Sequence, residues 1–320
     1  MLAGERRDIS HGEQVAVIRI VKVDDSMFEE AYELLLGLNG TGISKEVWRR
    51  LLRPQWRLDG MPCGLGLVDR GRLVGFVGTL FSERVIDGRV ERFCNLSSLI
   101  VSEAYRRHGW MLMFSAVRAE NCTITIFTPM SVLYNRAPEI GFRNLGARFR
   151  IMFPVPWARR ARGVEVELLD DPMEIRPHLD ETHRRYLDDH LPYECGHLLV
   201  RQSMRYCYVV HISITSAKLP YALILYVSDP ELFAELSIPI RAFIMGKSGM
   251  RFVAVDSRLI RDLPLRASFD LPSSIRRLYK PDRLSPHLVD NLYSEFVLLR
   301  IGATAKLGDM VRSAGLRWSP

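Results

Sequence analysis

Arg106 and Gly109 stand three positions apart in Val101-Ser-Glu-Ala-Tyr-Arg-Arg-His-Gly-Trp-Met111, directly after the apolar run Leu96 to Val101. The run reads as a strand, and a helix is expected from about Arg106. The first N–H groups of a helix lack internal partners and carry partial positive charge. A glycine in that first turn lets an anion approach the backbone. Arg106, Arg107 and His108 add charge or donors. Such a turn suits a pyrophosphate.

Other reactive residue types carry less. His183, His190 and His197 with Cys195 invite a metal reading. However, His183 and His190 are seven apart and Pro192 intervenes before His197, whereas zinc ligands usually pair at roughly two to four residues. Surface helix residues explain the set better, and no metal site is assigned. Cys94 could be an acyl-carrying nucleophile, but a lone cysteine in an apolar strand reads first as core filling.

Composition sets the frame. The 320 residues leave room for two domains, and apolar and charged shares of 48% and 25% are those of a globular protein. No apolar stretch reaches the roughly 18 to 20 residues that span a bilayer, and the polar start, Met1 to Asp8, does not read as a secretory signal. Five cysteines without a Cys-x-x-Cys pair point to reduced thiols and a cytoplasmic location. The formal charge of +7 is compatible with an anionic ligand.

The elements that would position the turn follow from periodicity. Val15 to Val21 alternates as a strand, Met27 to Leu38 has helical spacing after Asp24, Asp25 and Ser26, and Ser44 caps a short helix to Leu52. Cys63 to Val68 and Leu73 to Phe81 read as a hairpin across Asp69-Arg-Gly-Arg72, and Asp87-Gly88 turns into the strand Glu91 to Val101. A helix from Arg107 to Glu120, a buried strand Thr123 to Phe127, a helical piece from Ser131 broken at Pro138, and a strand near Arg148 to Phe153 complete the half.

This order and its motifs resemble the GNAT superfamily of N-acyltransferases. Val101, Arg106 and Gly109 match its acyl-CoA signature, while Met111 replaces the last small residue. Leu73-Val-Gly-Phe-Val-Gly78 resembles the family's third-strand pattern. Tyr134 followed by Gly141-Phe142 resembles its Tyr…Gly-Phe element, with the tyrosine farther from the pair than is usual. The resemblance covers residues 14 to 155. It implies an α/β fold with a mixed, largely antiparallel central sheet flanked by helices. It also implies acetyl-CoA or another acyl-CoA bound by Leu99, Ile100, Val101, Arg106, Arg107, His108, Gly109, Trp110 and Met111. The reaction implied is direct attack on the acyl group, acetyl in the first instance, by the amine of a small molecule or peptide in a ternary complex. A non-catalytic acyl-CoA binder is the alternative. Neither a membrane nor a nucleic acid is an expected partner, and an oligomer is left open.

Residues 157–163, Trp-Ala-Arg-Arg-Ala-Arg-Gly, read as a solvated basic connector. Beyond it, a helix from Ile175 to Asp189, strands at Arg205–Ser213 and Tyr221–Val227, helical pieces at Pro230–Leu236 and Ile240–Gly246, and a strand Phe252–Asp256 echo the first half without an Arg-x-x-Gly turn. Residues 1–156 are therefore read as an acyl-CoA-binding domain and 164–320 as a second α/β domain, a degenerate copy of the first.

The resemblance also calls for a base, commonly a carboxylate on the fourth strand. Phe93 to Ile100 has none. A water chain through Asn95, Ser97 or Ser98 is the alternative, with Glu91 and Glu103 at the strand's two ends, Glu103 read as a helix-terminal charge. Tyr134 is the candidate acid for the leaving thiolate.

Overall fold

The structure is a computed structural model that describes residues 18–38, 42–146, 148–155, 166–216, 219–272 and 277–301. The connector at 157–163 and the start of the strand expected from Val15 lie outside them.

Asp24 accepts from the Ser26 N–H and Ser44 from the Val47 N–H, so the expected caps start the first helical segments. The first is a 3₁₀ turn, Asp25–Met27, that leads into α1 (Phe28–Leu35), and the second is α2 (Lys45–Arg49); β1 (Arg19–Val23) precedes both. The strands β2 (Gly64–Asp69), β3 (Arg72–Ile86) and β4 (Arg89–Val101) form a meander. Its two turns have positive φ at both central residues, Arg70-Gly71 and Asp87-Gly88. That backbone matches the twist of the flanking strands.

A 3₁₀ segment, Glu103–His108, precedes α3 (Gly109–Ala116), so helical structure starts earlier than expected and the α-helix is shorter. Next come β5 (Thr123–Ile126), α4 (Ser131–Arg136), β6 (Arg143–Asn144) and β7 (Arg148–Met152). The second half holds β8 (Val166–Leu169), α5 (Pro172–Ile175), α6 (Glu181–His190), β9 (Gly196–Gln202), β10 (Arg205–Ser216) and β11 (Leu219–Val227). Then follow α7 (Pro230–Glu235), α8 (Ser237–Ser248), β12 (Val253–Asp256), β13 (Ser268–Pro272), β14 (Leu278–Lys280) and α9 (Glu295–Leu299). The single helix expected over Ile175–Asp189 is two. Pro177 interrupts it and Asp180, accepting from the His183 N–H at 2.8 Å, starts α6 anew.

The strands form two seven-stranded sheets with matching layouts, β1-β2-β3-β4-β5-β14-β6 and β8-β9-β10-β11-β12-β7-β13. Most pairs are antiparallel; β4 with β5 and β11 with β12 are parallel. The two units exchange strands. β7 inserts between β12 and β13 of the second sheet, and β14 inserts between β5 and β6 of the first.

One apolar cluster runs through both units, joining Trp56, Phe93 and Phe127 to Tyr186, Tyr208, Tyr293 and Phe296. Buried ions reinforce the join. Arg84 pairs with Asp290 at 2.5 Å, and the fully buried Arg277 pairs with Asp256 at 2.8 Å between the rings of Phe127, Phe149 and Phe296. The histidines expected on the surface belong here instead. His190 is fully buried against Trp56 and its Nδ1–H donates to the Tyr186 carbonyl, His197 shares a hydrogen bond with the Tyr208 hydroxyl, and His183 lies between Asp180, Tyr206 and Tyr226. Burial pulls the pKa of His190 down to about 4 and that of His197 to about 3, so both are neutral. The sequence pattern hid this because the rings that bury them, Trp56 and Tyr293 around His190 and Tyr208 against His197, lie on other elements.

Candidate active site

β4 sets the site. Against β3, Gly78 faces Ser97 while Phe76 faces Ile100, so β4 carries one extra residue there, and Ser98 takes a left-handed φ of 56°. This is a β-bulge. On its other edge β4 pairs with β5 only through Phe93, Cys94 and Asn95. Past Asn95 the two strands part and leave an opening between them.

That opening continues as two joined cavities. The outer, of about 500 Å³, is lined by Leu99, Ile100, Val101, Arg106, Gly109, Trp110 and Val132, among others. The inner, of about 380 Å³, is lined by Ser97, Ser98, Thr128 and Glu295 within a largely apolar wall. Gly37, Leu38, Leu99, Met113, Met130 and Leu133 border both.

Six of the nine residues expected to bind the cofactor line the outer cavity: Leu99, Ile100, Val101, Arg106, Gly109 and Trp110. Arg107, His108 and Met111 do not. Met111 is 43% exposed and points away, so its bulk does not narrow the groove. A Cβ on Gly109 would meet only Val101 Cγ2, at an ordinary 3.5 Å. Packing therefore does not require this glycine. Its N–H bonds the Arg106 carbonyl, because the 3₁₀ turn precedes it. Helical charge is thus spent earlier in the turn than the sequence pattern suggested. Arg106, paired only with the exposed Glu103 at 3.5 Å among the described residues, supplies the cationic group at the mouth.

Ser97 and Ser98 line the inner cavity with their hydroxyls 3.0 Å apart. Asn95 lies behind the wall. Its amide donates to Thr125 Oγ1 at 3.1 Å, and its carbonyl accepts the Glu295 N–H at 3.0 Å. Tyr134 is half-buried on α4 beside the apolar cluster under α3 and lines neither cavity. Cys94 is fully buried, and burial pushes its thiol well above its usual pKa, which leaves it a core residue. Glu91 is tied to Arg283 at 2.6 Å at the far end of the strand.

The carboxylate absent from β4 comes from the second half. Glu295, the first residue of α9, is fully buried and lines the inner cavity. Its Oε1 accepts from the Thr128 hydroxyl at 2.7 Å, and its Oε2 has no hydrogen-bond partner among the described residues. Burial raises its pKa, against the opposing pull of the Ser97 and Thr128 hydroxyls and the Arg277 guanidinium. A buried cavity-lining carboxyl with a raised pKa and one oxygen unpartnered among the described residues can accept a proton. Sequence reasoning missed it because Glu295 sits in no motif. The one available signal was an acid beside a capping serine at the head of the wholly apolar Phe296-Val-Leu-Leu299.

The second unit repeats the layout without the site. Where α3 follows β4, α7 follows β11, and there Asp229 caps the helix and pairs with Arg205 at 3.0 Å. A carboxylate already holds the position an anion would take. The edge of β11 is also covered, since Leu225 accepts from the Asn291 N–H at 3.1 Å.

This architecture is the GNAT fold, present as two units. A GCN5-related N-acetyltransferase from Kribbella flavida superposes with a TM-score of 0.54 at 16% identity, over 82% of this chain and 71% of that one. A GCN5-related N-acetyltransferase from Anabaena variabilis gives 0.52 at 12% identity, over 82% and 72%. A GCN5-related glucosamine N-acetyltransferase region of a fungal multi-domain β-N-acetylglucosaminidase gives 0.53 at 14%, over 82% and 38%. No protein-family model and no curated protein matches the sequence. Among the described residues, no helix is long and apolar enough to cross a membrane.

Proposed function

We propose that this protein is an N-acyltransferase that moves an acyl group, acetyl in the first instance, from CoA to an amine. The observation that carries the reading is Glu295, a buried carboxylate with one oxygen unpartnered among the described residues, lining the inner cavity that adjoins the groove beside Arg106 and Gly109.

The groove suits the thioester ligand. Leu99, Ile100, Val101 and Trp110 offer apolar walls for a pantetheine arm, Arg106 a cation for phosphate, and Gly109 a backbone without a side chain in the way. Bound CoA supplies an acyl group activated as a thioester. The chain's own residues do the rest. Glu295 accepts the proton of the attacking amine through Oε2, while Thr128 fixes the carboxylate through Oε1. The paired hydroxyls of Ser97 and Ser98 stand at the bulge to donate toward the reacting atoms, a role for which they are better placed than Tyr134. Asn95 holds the head of α9, and so Glu295, in place. Holding donor and acceptor together in adjoining cavities supplies much of the rate.

In this reading residues 1–156 carry the acyl-CoA groove and 164–320 contribute β14 and Glu295. The alternative, a non-catalytic acyl-CoA binder, drew on the lack of a strand-four carboxylate and on Met111. Glu295 supplies the first, and Met111 lies outside the groove. The test is thiol release from acetyl-CoA with a panel of primary amines. Amine-dependent release supports transfer, and tight CoA binding without any release refutes it.

A further inference from the structure

We propose that the acceptor is an apolar primary amine, an aryl- or alkylamine, with its nitrogen at Glu295 and its hydrocarbon body against the wall of the inner cavity. This rests on the acyltransferase reading above, and deepens it.

The wall is built from Ile43, Trp48, Leu96, Ile126, Leu299 and Ile301. The polar side chains of the lining are few, and they engage one another. Ser97 and Ser98 share a hydrogen bond, and Thr128 donates to Glu295. Glu295 Oε2 is the charged acceptor left without a hydrogen-bond partner among the described residues. An ammonium suits it, because the carboxylate then gains a counter-charge beside a largely apolar wall.

Acceptors of other classes do not fit. An amino sugar would set several hydroxyls against a largely apolar wall whose own hydroxyls, Ser97, Ser98 and Thr128, are already engaged with one another or with Glu295. Each unmade hydrogen bond costs on the order of tenfold in affinity. A polyamine would bring a second cation where the lining offers one carboxylate. For an apolar body, each buried methylene adds affinity instead.

The experiment is calorimetric titration of the full chain at pH 8, with and without saturating CoA, using 2-phenylethylamine, glucosamine and Nα-acetyl-lysine amide. 2-Phenylethylamine is expected to bind at least about tenfold more tightly than either of the others, and Glu295→Gln to lose about tenfold of that affinity. Should Glu295→Gln fold poorly by circular dichroism, Leu96→Ser at the wall is expected to weaken 2-phenylethylamine and leave glucosamine unchanged. Equal or tighter binding of glucosamine or the lysine amide, or no binding of 2-phenylethylamine at millimolar concentration, overturns the proposal. Binding in the expected order without thiol release from acetyl-CoA upholds this inference and refutes the transferase reading.

Discussion

Replacing Glu295 by Gln separates the chemistry of the site from the stability of the chain. Gln keeps the shape of the side chain and an oxygen for the Thr128 hydroxyl, and removes the charge and the basic atom. General base catalysis is typically worth about 100- to 10,000-fold, so turnover should fall by that factor, or about 3 to 5 kcal/mol of barrier. Stability should move the other way. Burial favours the neutral carboxyl and raises its pKa above the ordinary value of 4.5. The folded chain therefore holds the proton more tightly than the unfolded chain. Stability from this group is full below the ordinary carboxyl pKa, declines as pH climbs toward the raised one, and stays low above it. Above that raised pKa the charged, half-satisfied carboxylate is a cost, and the amide escapes it. The variant should melt at the same temperature as the native chain or higher, and its acyl transfer should lose the rise in kcat/KM with pH that titration of Glu295 produces. The assay is thiol release across pH 5 to 9 beside thermal melts at pH 5 and 8. A variant that keeps turnover within about threefold with an unchanged pH profile would show that proton transfer runs through another group.

Four further expectations follow from geometry. Gly109→Asp should abolish CoA binding in calorimetry, whereas Gly109→Ala should weaken CoA while holding or raising stability by up to about 1 kcal/mol, since its Cβ meets only Val101; equal CoA affinity for Gly109→Asp and the native chain would remove the turn from the site. Calorimetric stoichiometry should be one CoA per chain, because Asp229 occupies the corresponding helix start in the second unit; a value near two contradicts this. Asp256→Ala leaves Arg258 and the fully buried Arg277 without their shared carboxylate and should cost about 3 to 5 kcal/mol in urea unfolding; a loss under about 1 kcal/mol would mean water replaces the pair. A fragment of residues 1–163 should aggregate in size-exclusion chromatography, because it lacks β14 and carries β7 without its partner strands; a monomeric, CoA-binding fragment would show that the exchanged strands are dispensable.

Elements were legible wherever one segment contains its own explanation. The hairpin at Asp69 to Arg72 needs positive φ at two adjacent positions and carries the glycine for it. The turn after β4 announced itself by Arg106 and Gly109, and Ser44 and Asp24 marked helix starts that do form. What stayed hidden depends on partners far along the chain. Nothing in Arg148–Met152 or Leu278–Lys280 says that each strand pairs in the other unit's sheet, since alternation fixes which face of a strand is buried but not its neighbours. His190 and His197 looked solvent-facing because the rings that bury them, Trp56 and Tyr293 around His190 and Tyr208 against His197, come from other elements.

Glu295 is the extreme of the same rule. Its own stretch argues only for a short capped helix. Its chemistry comes from Thr128, 167 positions earlier, which binds one oxygen, and from Asn95, 200 positions earlier, which holds its backbone N–H. The strand exchange explains how a carboxylate from the second half reaches a cavity in the first. β14 ties the chain to β5, and the segment that follows passes Leu225 of β11 at Asn291 before entering α9. The residues that close the opening beside β11 thus lead directly to the one that equips the opening beside β4. In the unit without an anion turn, this segment fills the splay. In the unit with one, it supplies the buried carboxylate that is the proton acceptor in the proposed reaction.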